Sequence, residues 1–195
     1  MNAVFRTLDA LIIYFDSRIK ERDPKAVGLY KKMTNKEFMF IIYMMMDVLP
    51  IVSKLCLVFQ KQDLDVAYAK VALDQCMADL EKYKAGENIP FPTHLEHFDD
   101  HVKADEEGKL TFKGHKITDT KANLQNLKSK FLNQLLSNLK SRFPNMSLLT
   151  SFHVLGMRPL SMVQDLDDWG NEDIEKIFEY YGNTQVYSIS QSLSQ

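Results

Sequence analysis

Residues 34–62 read TNKEFMFIIYMMMDVLPIVSKLCLVFQKQ, and this stretch decides the fold. From Phe38 to Met46, nine successive residues are apolar, and Asp47 is the first interruption. A helix that is apolar nearly all round is buried on most sides, so this one is expected at the centre of the protein. Thr34-x-x-Glu37 has the form of a capping box that opens it, and the pattern continues to about Gln62. Pro50 lies inside. A proline there removes one backbone hydrogen bond and crowds the preceding turn, which predicts a kink near Met46–Pro50. Met39, Met44, Met45 and Met46 read as core filling rather than as an adaptable partner groove.

Further helices are legible on either side. Val4, Leu8, Leu11, Ile12, Phe15 and Ile19 follow the 3.6-residue period over residues 3–20, and Asp23-Pro24 ends that helix. A short helix over about 25–33 follows. After the central helix, Asp63 is placed to cap one over about 64–84, with Leu73, Cys76, Leu80 and Tyr83 on its apolar side. Gly86 to Thr93, with Pro90 and Pro92, reads as a loop, and 94–104 as a shorter helix. Lys109–Ile117, between Gly108 and just past Gly114, alternates enough for a small β-hairpin. Asp119 or Thr120 caps a long helix striped by Leu124, Leu127, Phe131, Leu135, Leu139 and Phe143, with Pro144 just past its end. Residues 146–155 read as one short helix, followed by a loop around Pro159, and 171–181 as the last helix.

The composition agrees. Among 195 residues there are 7 Gly and 6 Pro, where average usage would give about 14 and 10. The expected fold is mainly α: an irregular multi-helix bundle with a kinked central helix and at most one small hairpin, about residues 109–117. One helical domain over residues 1–182 and a disordered Ser/Gln-rich tail over 183–195 complete the expectation.

Several function classes are disfavoured. No G-x-G-x-x-G or G-x-x-x-x-G-K-[ST] loop occurs. The nine-residue apolar run is short of the roughly 20 residues of a membrane span, and no leader pattern is visible at Met1, so an intracellular chain without membrane contact is expected. Cys56 and Cys76 form no C-x-x-C pair and read as reduced, buried core thiols. No cofactor and no small-molecule substrate is implied. Because the Ser, His, Asp and Cys candidates lie in unrelated segments, no catalytic set can be composed, and the chain reads as no enzyme.

The net charge of −2 hides a segregation. Residues 94–107 hold six acids against Lys103, and 165–179 hold seven against Lys176. Between them, residues 120–164 contain no acid and six bases: Lys121, Lys128, Lys130, Lys140, Arg142 and Arg158. Such a block can contact phosphates, so Lys121, Lys128, Lys130, Lys140 and Arg142 are nucleic-acid candidates. They form no single stripe on a helical wheel, so a solvated face is the alternative. His94, His97 and His101 fall at i, i+3 and i+7, where imidazoles can converge on Zn²⁺, although three collinear ligands suit a tetrahedral ion poorly. Trp169, between Asp168 and Gly170, reads as covering the edge of the core.

Several phrases, in order, resemble the hAT (hobo/Ac/Tam3) superfamily of transposases and the domesticated proteins derived from it. Asp47-Val48-Leu49-Pro50, then Leu55, Phe59-Gln60 and Leu64, are similar to the family's "F-x-D-V-L-P … L-S-x-x-F-Q … L-D". Gly114-His115-x-Ile117 is similar to its "Y-x-G-H-x-I" turn. Phe131-Leu132-x-x-Leu135 with Asn138-Leu139-x-x-Arg142-Phe143-Pro144 is similar to its "F-L-x-x-L-x-x-N-L-x-x-R-F-P". Residues 152–157 and 168–182 follow the closing pattern more loosely, with Gly156-Met157 where the family has a second apolar residue and Asp-Pro. The resemblance covers about residues 25–182. It implies the all-helical insertion domain that interrupts an RNase H-like catalytic fold, without the catalytic aspartates and glutamate, the BED zinc finger or the dimerisation segment. It therefore implies a nuclear, non-catalytic protein or fragment working through protein contacts, its partner unspecified, with possible residual DNA association. An unrelated intracellular helical interaction module is the alternative.

Overall fold

A computed structural model describes residues 2–62, 66–87, 93–143, 146–155 and 170–192. The protein is mainly helical with one small antiparallel sheet. In chain order come α1 (Asn2–Lys20), α2 (Pro24–Met33), α3 (Lys36–Phe59), α4 (Val66–Ala85), a 3₁₀ turn (Leu95–His97), α5 (Phe98–His101), β1 (Val102–Ala104), β2 (Leu110–Phe112), β3 (His115–Lys116), α6 (Leu124–Arg142), α7 (Met146–Ser151), a second 3₁₀ turn (Phe152–Leu155) and α8 (Asn171–Ser192). The sequence reads as one helical domain, whereas the structure clusters into two compact units. One is Met1–Lys54 with Cys76–Ser137; the other is Leu55–Gln75 with Asn138–Gln195.

In the first unit α3 is the core helix, as its composition dictates. Met39, Phe40, Ile42, Tyr43, Met44, Val48 and Ile51 are buried, joined by Leu8 and Ile12 of α1, Leu80 of α4, Phe112 of β2 and Leu132 of α6. Each such side chain contributes about 1.5–3 kcal/mol on burial. Tyr43 sits within an aromatic cluster, its ring centroid 4.9 Å from Phe5, 5.3 Å from Phe98 and 6.3 Å from Phe112, all at edge-to-face angles. The helix continues past Asp47, so by length and composition α3 is long and apolar enough to cross a membrane, with a mean hydropathy of 1.9. Of that apolar window 44% is buried, while Leu49 and Leu57 remain exposed. Pro50 lies on the exposed side of α3, where the carbonyl it leaves unpaired is nearer to water. On α1, Ile13 and Tyr14 remain exposed.

Several local expectations are corrected. The capping box at Thr34 does not form. Thr34 ends α2, its hydroxyl donating to the Tyr30 carbonyl at 2.8 Å, and Asn35 opens α3 by accepting from the Phe38 N–H at 3.1 Å. Asp23 caps α2, with Pro24 at the first helical position. The helix expected over 94–104 is a 3₁₀ turn, one turn of α-helix and then strand β1, because Val102–Ala104 pairs with β2 (Val102 opposite Phe112, Ala104 opposite Leu110). The hairpin lies within the expected segment. Lys113 and Gly114, both at positive φ (47° and 87°), form the two-residue turn between β2 and β3. α6 begins at Leu124, later than expected, capped by Asn123, which accepts from the Asn126 N–H at 3.0 Å. Its buried face centres on Lys128, Leu132 and Leu136, one ridge over from the anticipated stripe.

In the second unit Leu55, Val58, Ala69 and Leu73 are buried, while Cys56 is exposed, contrary to the expectation of a core thiol. Cys76, in the first unit, is buried. α8 continues in helical form to Ser192, where a disordered tail was expected from residue 183; that stretch contains no Gly or Pro after Gly182 to stop it. Asp63, Pro90, Pro92, Pro144, Gly156, Met157, Pro159 and Trp169 lie outside the described residues.

A buried carboxylate clasp as the candidate functional site

The first unit buries two acids, Asp47 of α3 and Asp79 of α4, and the contacts of Asp47 define a clasp. The Asp47 side chain is 1% exposed, on the inner face of α3 beside Val48. Four donors meet its two oxygens. Oδ1 accepts from the His94 backbone N–H at 2.6 Å and from His94 Nδ1 at 3.0 Å. Oδ2 accepts from the Leu95 N–H at 3.0 Å and from the Tyr83 hydroxyl at 3.0 Å. A carboxylate offers about four lone-pair sites, so every one is used. The backbone N–H groups of His94 and Leu95 open the first 3₁₀ turn and have no partner within it. Asp47 therefore caps that turn from another helix, as a local N-cap residue would.

Tyr83 links the carboxylate to a buried cation. Lys128 is 9% exposed, and its Nζ lies 4.1 Å from the centroid of the Tyr83 ring. An ammonium over an aromatic face is a cation–π contact, strengthened when water is kept away. Burial lowers the Lys128 pKa, and the charges of Asp47 and Glu96 oppose that shift. Burial, then the Asp47 charge and its hydrogen bond, raise the Tyr83 pKa well above the ordinary phenol range, so Tyr83 stays the donor to Asp47. A cavity of about 280 Å³ opens beside these groups, lined also by Thr93, Glu96 and Asp99. Thr93 Oγ1 is buried with no hydrogen-bond partner among the described residues.

The three candidate metal histidines go to three different partners. His94 donates to Asp47, His97 Nδ1 lies 3.3 Å from Asp100 Oδ2, and His101 Nδ1 lies 3.0 Å from the Tyr43 hydroxyl. The residues do not share one helix, so the i, i+3, i+7 spacing no longer aligns them. Among the described residues no three His, Cys, Asp or Glu side chains group as a metal site. Burial pushes the Tyr43 hydroxyl up to about 12, which keeps it protonated and able to donate to His101 Nδ1. Burial and the Lys113 charge lower the His101 pKa.

Of the nucleic-acid candidates, Lys121, Lys130, Lys140 and Arg142 are exposed. Lys128 is not, and its inward turn is a correction to the basic block. The signal was present: Lys128 stands four residues after Leu124 and four before Leu132, inside an apolar ridge. In the sequence Tyr83 reads as an apolar position, and Asp47 as an interruption and the acid of the D-V-L-P phrase.

The phrases quoted from the sequence fall at joints of the fold. Asp47 is the hub of the clasp, and Pro50 follows it on the outside of α3. Gly114 forms the hairpin turn, and His115 Nε2 reaches Asp9 Oδ1 of α1 at 2.8 Å. In the second unit, Phe59 and Phe143 stack with centroids 5.2 Å apart and planes 15° apart. Gln60 is exposed just past the end of α3, its N–H donating to the Cys56 carbonyl. Compared with known proteins, the chain matches no family model, no curated protein sequence and no solved structure.

Proposed function

We propose that this chain is a non-catalytic helical protein or fragment derived from a hAT transposase, working in the nucleus through protein contacts with residual association with DNA. The observation that supports this most is the saturation of Asp47. The acid of the D-V-L-P phrase is tied by four donors, so its lone pairs are taken up in holding the fold. Its work is to hold α3, α4 and the first 3₁₀ turn together. The Phe59–Phe143 stack, which joins the later part of that stretch to the R-F-P phrase, supports the same reading. Exposed Lys121, Lys130, Lys140 and Arg142 supply the charge for phosphate contact.

The test is duplex binding and nicking by the full chain. The reading expects binding that is independent of sequence and weakens steeply between low and physiological salt, with no nicking in Mg²⁺ or Mn²⁺. Divalent-dependent nicking by a preparation in which every His has been replaced would overturn it. One observation favours the second reading, an unrelated intracellular helical interaction module: Lys128 is buried, which removes one base from the surface of the block. Absence of DNA binding even at low salt would select that reading.

A further inference from the structure

We propose that the Ile174, Phe178 and Tyr181 face of α8 docks a basic amphipathic helix of a partner protein. The inference rests on the protein-contact reading above and names the class of partner. The three residues fall at i, i+4 and i+7 and so share one face. They are 40%, 71% and 52% exposed, a row of large apolar side chains facing water. One edge of this face, at Tyr181, is already engaged within the second unit, which leaves Ile174 and Phe178 as its open part. Phe152 lies edge-on to Tyr181 at 6.2 Å, and Gly170, at the start of the helix, approaches Val154 closely enough that a Cβ there would come within 2.4 Å of it. The helix is thus held at that edge and offers the rest of the face.

Charge identifies the occupant. Over Asn171–Tyr181, Glu172, Asp173, Glu175 and Glu179 stand against Lys176 alone. A second copy docking through the same face about a two-fold axis would bring these acids against themselves. A duplex or an anionic bilayer would be repelled as well. A helix carrying Lys or Arg beside an apolar stripe satisfies both features at once: its stripe covers Ile174 and Phe178 while its cations meet Glu175 and Glu179. A helix suits better than an extended strand, because α8 presents side-chain ridges and no open backbone edge.

The experiment uses the full chain and a fluorescein-labelled synthetic helix of about 18 residues, with Leu at the i, i+3, i+4, i+7 positions and Lys elsewhere. Two control peptides replace its Leu by Ser or its Lys by Glu. Anisotropy is expected to report saturable binding of the Leu/Lys peptide and of neither control. Phe178→Ser, at an exposed position where the fold does not need the ring, is expected to weaken binding at least about 10-fold with an unchanged circular dichroism spectrum. Glu175→Lys with Glu179→Lys is expected to weaken it and flatten its salt dependence. Equal binding of the Leu→Ser control, or no effect of Phe178→Ser, would overturn the proposal. So would a dimer in sedimentation that Phe178→Ser abolishes, which would assign the face to a second copy. DNA binding and nicking, measured on the same preparations, report on the transposase-derived reading separately, so either can fail alone.

Discussion

The Tyr83 hydroxyl donates to Asp47 Oδ2 at 3.0 Å across 36 positions of sequence, joining α4 to α3 at the centre of the first unit. A buried carboxylate is costly unless donors surround it, and here the phenol, an imidazole and two backbone N–H groups do so. The same phenol ring carries the Lys128 ammonium on its face. Carboxylate, phenol and ammonium therefore form a chain from α3 through α4 to α6.

Removing the two members of the first link should have unequal effects. Tyr83→Phe keeps the ring under Lys128 and deletes one hydrogen bond to a charged acceptor, which should cost about 1.5–3 kcal/mol. Asp47→Ala strands the His94 and Leu95 N–H groups together with the hydroxyl, and should cost about 3–5 kcal/mol. Urea unfolding followed by circular dichroism checks both. An Asp47→Ala protein as stable as the wild type would show that the carboxylate does not hold these elements together.

The His101 pKa is lowered by burial first and by the Lys113 charge next, against a smaller opposing effect of Asp100. The folded state therefore disfavours the imidazolium. As pH falls below the unfolded value of about 6.5, the unfolded chain takes up a proton before the folded one does, so stability falls. Urea midpoints should decrease between pH 7.5 and 5. The decrease should be smaller in His101→Gln, whose side chain can still meet the Tyr43 hydroxyl but does not titrate. Identical slopes for the two proteins would remove His101 as the source.

Much of this architecture is legible in local patterns. The composition of α3, the break between α1 and α2 at Asp23-Pro24 and the Gly114 turn each express a local rule, and the structure follows them. What is not legible depends on partners distant in sequence. Thr34 and Asn35 are both good caps, and Asn35 opens α3 because Thr34 is already the end of α2. Val102–Ala104 becomes strand because β2 lies beside it; its own periodicity suits a helix equally well. The three histidines separate for the same reason. Asp47 interrupts an apolar run in the sequence, and only the arrival of Tyr83 and the 94–95 backbone makes it a hub.

Phe59 and Phe143 lie 84 positions apart, yet their rings stack at 5.2 Å in the second unit. A direct aromatic contact has a coupling energy beyond the burial of each ring, about 0.5–1.5 kcal/mol. A double-mutant cycle of Phe59→Leu and Phe143→Leu should recover a coupling in that range, the double variant losing less than the sum of the singles. Additive losses would mean that the two phrases contribute to stability independently.

Among the described glycines, Gly170 is the one at which an added Cβ would meet a neighbouring side chain. Its φ of 83° lies in the left-handed region, and a Cβ there would sit 2.4 Å from Val154 Cγ2. Val is stiff at χ1, so its methyl cannot swing aside without leaving its preferred rotamer. Gly170→Ala thus combines a backbone cost of about 1–2 kcal/mol with the displacement of Val154. The expected result is loss of the close approach of α8 to the second 3₁₀ turn, seen as faster amide hydrogen exchange over Asn171–Tyr181 with the Asp47 clasp still protected. Gly170→Ala with Val154→Ala should recover the steric part and leave the backbone part. If the single variant exchanges as slowly as the wild type over this stretch, the packing of Gly170 on Val154 does not fix the start of α8.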